Sequence, residues 1–99
     1  MVHHIVLWNL KEDLSEQEKK EAALEIKRRL EAVADTVEDV VSLEVVIKSM
    51  ESSNKEIALI SRFETKEALK AYQVSPAHVE AGGYIRTVTA GRSCFDYEE

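Results

Sequence analysis

Ninety-nine residues fit one domain spanning 1–99, and at that size much of the surface stays exposed, so a second subunit would add burial that one chain cannot supply. Thirteen Lys and Arg stand against 19 Asp and Glu, a formal net charge of -6 with no basic block, which argues against nucleic acid as a partner. The apolar run VHHIVLWNL near the N-terminus is short, carries histidines and has no basic segment before it, and no other stretch approaches the roughly 20 apolar residues of a membrane helix. The expectation is a cytoplasmic protein with no membrane partner, and the single Cys94, which has no partner for an intrachain disulfide, is compatible with a reducing compartment.

In chain order, HHIVLWNL at 3–10 is β-branched and aromatic and closes on a charged cluster, which predicts a strand. LSEQEKKEAALEIKRRLEAVAD follows, with Ser15 three residues before Glu18 as a capping box and Ala23, Ile26, Leu30 and Val33 at helical spacing, which predicts an amphipathic helix. Its other face, with Lys19, Lys20, Glu21, Lys27, Arg28 and Glu31, reads as solvated surface. DVVSLEVVIKSM and EIALISRFE alternate and are joined by a polar turn containing Met50 and Glu51, predicting an antiparallel hairpin of uncertain register. Thr65 opens a short helix, TKEALKAY, a second helical segment runs from Pro76 towards Ala90, and GRSCFDYEE supplies a last strand.

This βαββαβ order predicts an α+β, ferredoxin-like fold, a four-stranded antiparallel sheet with its helices on one face. The other face should then be polar, yet Ile5 and Leu7 oppose Val6, Trp8 and Leu10 in the first strand, and Ile57 and Leu59 oppose Ala58 and Ile60 in the third. Apolar residues of both parities imply burial on both faces. The same face of a second subunit is the economical cover, giving a homodimer that encloses an apolar cavity between two sheets.

Ser75-Pro76-Ala77-His78 marks a break between helices. Proline disfavours helix for the residue before it, serine is a good N-cap, and proline is tolerated best at the first helical position. His78 then falls at the third position, where the positive end of the helix dipole disfavours an imidazolium, leaving a neutral ring able to accept a proton. A histidine there is also a common surface or packing residue. His3 and His4 point to opposite faces of the first strand and cannot chelate one ion together. Tyr72 reads either as an aromatic anchor for the short helix or as a working phenol. Gly82-Gly83 inside the second segment implies a helix break or the close approach of another backbone. Cys94, beside Phe95, reads as a small buried hydrophobe rather than a nucleophile. No nucleotide-binding or metal-binding motif is present, and three histidines with one cysteine make no persuasive metal site, so neither cofactor nor metal is expected.

HIVLWNLK at 4–11, IALISRFETKEALKAYQVSPAHV at 57–79 and FDYE at 95–98 resemble the stress-responsive A/B barrel (Dabb) family over essentially the whole chain. The resemblance implies a ferredoxin-like homodimer forming a dimeric α/β barrel. A plant polyketide cyclase of that group uses a tyrosine and histidines for an aldol-type cyclisation without metal or cofactor. Its residues fall on His4, Tyr72 and His78 here, while a histidine of its third strand is replaced by Ile57, and the His or Asn common before the proline is Ser75.

Two readings of function follow. In the first, the homodimer binds a small, largely apolar or aromatic molecule, placed between the two sheets or else between sheet and helices, with His4, Tyr72 and His78 as polar contacts and Val6 and Trp8 lining the pocket. In the second, a cofactor-independent cyclase or lyase uses neutral His78 as general base while Tyr72 and His4 hydrogen-bond the developing oxyanion. A cofactor-free monooxygenase is a further alternative by analogy of fold.

Overall fold

The computed structural model describes residues 1–99. Strand β1 (Val2–Leu10) leads to helix α1 (Glu16–Ala34), then strands β2 (Val40–Val46) and β3 (Ile57–Phe63), helices α2 (Lys66–Val74) and α3 (Pro76–Val88), and strand β4 (Thr89–Glu98). All strand pairs are antiparallel, in the order β2-β3-β1-β4, so the sheet edges are β2 and β4. This is the expected βαββαβ arrangement, with the second helix split at Pro76.

Helix α1 starts where the sequence places it. Ser15 accepts from the Glu18 amide and the Glu18 carboxylate accepts from the Ser15 amide, so two of the amides left unpaired at a helix start are satisfied. Ala23, Ile26, Leu30 and Val33 form its buried stripe. They meet the even-numbered residues of β1, since Val2, His4, Val6, Trp8 and Leu10 are all buried while their odd-numbered neighbours are half-buried. Ile57, Leu59, Ser61 and Phe63 of β3 and Val45 of β2 complete this face. Side chains such as Ile26 and Phe63, at 0% exposure, each contribute roughly 1.5–3 kcal/mol of burial.

The reading of the charged face of α1 as plain solvated surface needs correction at two positions. Lys27 and Glu31 pair with each other at 2.7 Å and bond the Val45 carbonyl and amide respectively. Those are backbone groups of an edge strand, so the pair blunts the β2 edge. The glycine expectation is also overturned. Helix α3 runs unbroken through Gly82 and Gly83; a Cβ on Gly83 would meet nothing within 4 Å, and one on Gly82 would meet only the Arg86 guanidinium at 3.4 Å.

The odd-parity face of the sheet carries no helix. Ile60, Phe95 and Tyr97 are exposed on it, Phe95 by 65%, and Ile5, Leu7, Ala58 and Val46 extend the apolar area. Cys94 departs from expectation: it is exposed, because β4 is an edge strand that the helices do not cover. No helix is long and apolar enough to cross a membrane.

Candidate functional site

The break between α2 and α3 fixes His78. Ser75 accepts from the His78 amide at 3.3 Å and donates its hydroxyl proton to the Tyr72 carbonyl at 2.9 Å, tying the end of one helix to the start of the next. Pro76 occupies the first turn as predicted. The His78 Nδ1 proton is donated to the Gln73 carbonyl at 3.1 Å, which leaves Nε2 with a free lone pair in the neutral ring. Its pKa is held below the ordinary 6.5, first by burial and further by the neighbouring His4 and Arg92, against the Gln73 bond. The direction agrees with the neutral imidazole expected from the sequence, and its leading cause is burial.

His78 lies on the wall of a cavity of about 230 Å³ between the sheet and the helices. Val6, Trp8, Leu30, Leu59 and Ile85 make one part of the lining apolar, while His4, Gln73, His78, Arg86 and Arg92 supply the polar part. A larger depression of about 440 Å³ under the β2–β3 loop is lined by residues such as Lys48, Met50 and Asn54 and by no histidine, tyrosine or cysteine. Chemistry, not size, singles out the smaller space.

This location corrects the version of the sequence reading that put His4, Tyr72 and His78 between two sheets. Even-numbered residues of β1 face the helices, so His4, Val6 and Trp8 turn inward within one protomer and the helices form the roof. Tyr72 is fully buried, its ring 4.6 Å from that of His78, 6.5 Å from His4 and 5.2 Å from Phe63. It stands behind the cavity wall rather than on it, a burial that fits an aromatic anchor. Its hydroxyl is buried with no hydrogen-bond partner, however, which a mere anchor does not require. Burial pushes the phenol well above its ordinary value, which favours the protonated hydroxyl, a group that keeps its proton to donate.

His4 Nδ1 faces the Asp96 carboxylate at 2.5 Å across the β1–β4 pair. With Nδ1–H donating to the Asp96 carboxylate, the neutral tautomer presents a lone pair at Nε2 and has no second proton to donate there. Cys94, two residues before Asp96 on the same face, places its sulfur 3.5 Å from the carboxylate and 3.9 Å from Nδ1. These three are the residues that could hold a metal. They supply three ligands rather than four, and the His4 nitrogen that faces the other two, Nδ1, is already bonded to Asp96. The Cys94 thiol is pushed up by burial and by Asp96, the reverse of an activated nucleophile.

Arg92 and Arg86 were not foreseen. Between the pairs Leu7↔Ser93 and Asn9↔Ala90, β1 contributes only Trp8 while β4 contributes Gly91 and Arg92, a bulge with Gly91 at φ 63°. Such bulges re-aim side chains, and here the following residue joins the cavity lining. The glycine itself could have signalled this, but its register could not be read without the pairing. Ile57 is buried beside Trp8 on the helix-facing side and leaves that third-strand position apolar.

The family model for the stress responsive A/B barrel domain matches residues 2–99. The chain belongs to this family. A dimeric, ferredoxin-like protein of unknown function from Bacteroides fragilis is 32% identical, with a TM-score of 0.91 over 99% of this chain and 95% of that one. A Dabb family protein from Mesorhizobium loti is 20% identical, with a TM-score of 0.73 over 99% and 95% of the two chains. SnoaB, a cofactor-independent oxygenase from Streptomyces nogalater, shares the fold at 8% identity, with a TM-score of 0.77 over 99% of this chain and 91% of that one. No curated protein matches this Dabb chain.

Proposed function

We propose that this Dabb protein is a homodimer in which each protomer binds one small molecule in the cavity between its sheet and helices. The observation that carries the reading is that cavity itself, apolar at Val6, Trp8 and Leu59 and polar at His4, Gln73 and His78. Ligand pockets of this build usually measure about 300–1,000 Å³, so a space of about 230 Å³ suits a single ring or a short chain rather than a large cofactor. Dimerisation is supported by the uncovered apolar sheet face and by the dimeric Bacteroides relative. A thermal-shift screen of the purified protein against small aromatic and alkyl compounds tests the binding reading, because a ligand of the folded state raises its melting temperature. Gly82 lines the cavity, so Gly82→Leu fills it and is expected to abolish the shift; a shift that survives this substitution places the ligand elsewhere.

A catalytic reading has its own support in the pairing of His78 with Tyr72. His78 Nε2 removes a proton from carbon next to a carbonyl, forming imidazolium and an enolate, and the enolate carbon adds to a second carbonyl of the same molecule in an aldol-type closure. The Tyr72 hydroxyl, unpartnered in the fold and with its ring 4.6 Å from that of His78, is the donor this reading assigns to the developing oxyanion. His4 joins that role only in its doubly protonated form, since its Nδ1–H is already donated to Asp96. On this reading His78→Ala abolishes turnover and leaves the dimer intact, and retained turnover removes His78 from the mechanism. The oxygenase alternative has likeness of fold alone behind it and is not adopted.

A further inference from the structure

The chain carries a net charge of -6, yet no carboxylate lines the cavity, and two guanidiniums do. Arg86 comes from α3 and Arg92 from β4, brought to the same space by the Gly91 bulge. Neither forms an ion pair, whereas Arg28 and Arg29, one helix away, are both matched to Glu25. Asp96, on the strand that carries Arg92, is engaged by His4. Two arginines without an ion pair, beside a pocket whose lining includes no carboxylate, leave one kind of group unsupplied, an anion.

We infer that the ligand carries a carboxylate or an equivalent oxyanion, held by Arg86 and Arg92, with its apolar or aromatic body against Val6, Trp8 and Leu59. The inference rests on the cavity reading above and narrows its ligand class. Guanidinium groups present a planar fork of donors that matches a carboxylate in two parallel bonds, and they keep their charge at any physiological pH. A cation at this end of the site would meet the same two charges as repulsion, which also disfavours a metal at the neighbouring His4–Cys94–Asp96 group. In the catalytic reading, the arginines would hold an acid group of the substrate or product away from His78, whose own burial keeps it neutral beside them.

The test compares 4-ethylbenzoate with 4-ethylbenzamide, ligands of matched shape that differ in charge, by isothermal titration calorimetry on the intact dimer. A charge-assisted pair should favour the benzoate by roughly tenfold or more. Arg86→Gln with Arg92→Gln should cut that preference to about twofold by weakening benzoate binding, with an unchanged far-UV circular dichroism spectrum showing that the variant is folded; both positions are exposed, so the exchange removes little packing. Equal affinities in the wild type, or a preference that survives the double substitution, overturn the anion assignment and leave the cavity reading standing. Failure of both compounds to bind, with Gly82→Leu changing nothing in the wider screen, removes the cavity reading and the anion assignment together.

Discussion

Tyr72 has no exposed surface, and its hydroxyl has lost water without gaining a protein partner. A buried unsatisfied hydroxyl costs about 1–3 kcal/mol, so Tyr72→Phe should raise stability by about 1 kcal/mol, near 4–8 °C in Tm for a domain of this length. A fall of similar size would mean that the hydroxyl is bonded in solution and is not a free donor. His78 gives a pH dependence. Its folded pKa lies below the ordinary 6.5, so the unfolded chain binds the proton more readily; stability is held above that value and lost as pH falls from it towards the folded pKa. Urea denaturation from pH 7 down to 5 should show a slope that His78→Gln reduces, and an unchanged slope would assign it to other groups. At this scale the sequence was informative wherever the signal was local. Ser-Pro-Ala-His placed His78 at the third helical position from neighbouring residues alone. The Tyr72 vacancy and the His4–Asp96 bond needed packing and strand register, which no local pattern contains.

The α2–α3 junction depends on Ser75, whose hydroxyl serves both helices at once. Ser75→Ala removes the cap and should cost about 1 kcal/mol by thermal melting, the usual value for such a cap. It should also weaken ligand binding, because the start of α3 positions His78; an unchanged melting temperature would show that Pro76 alone fixes the junction. The β4 bulge works on the same scale. Helix spans were legible because periodicity and capping are local, and the strands because branched residues cluster. The bulge was not, since it exists only as a mismatch between β1 and β4. The strand spanning Val40–Val46 is also shorter than the apolar pattern suggested, because β3 pairing stops at Val46 and residues 47–56 form the connection.

Across the whole molecule, one sheet face is roofed by helices and the other is bare. The two-parity strand pattern of the sequence implies a second cover, and the exposed Ile60 and Phe95 are what that cover would bury. Ile60→Glu with Phe95→Glu should convert a dimer to a folded monomer in analytical ultracentrifugation, with far-UV circular dichroism unchanged, because burying charge without partners is prohibitive. A dimer that persists would place the contact elsewhere. The same parity argument went astray only in assigning the chamber: two opposed apolar faces allow a space on either side of the sheet, and only the side-chain directions choose between them.

A two-dimensional NMR titration of the wild-type protein with 4-ethylbenzoate tests that choice most directly. Binding in the protomer cavity should shift the Trp8 indole and the backbone amides of His78, Gly82 and Arg92, all lining residues, while Leu7, Ile60 and Phe95 on the opposite face stay in place. Shifts confined to Leu7, Ile60 and Phe95 would put the ligand between the sheets and contradict the account.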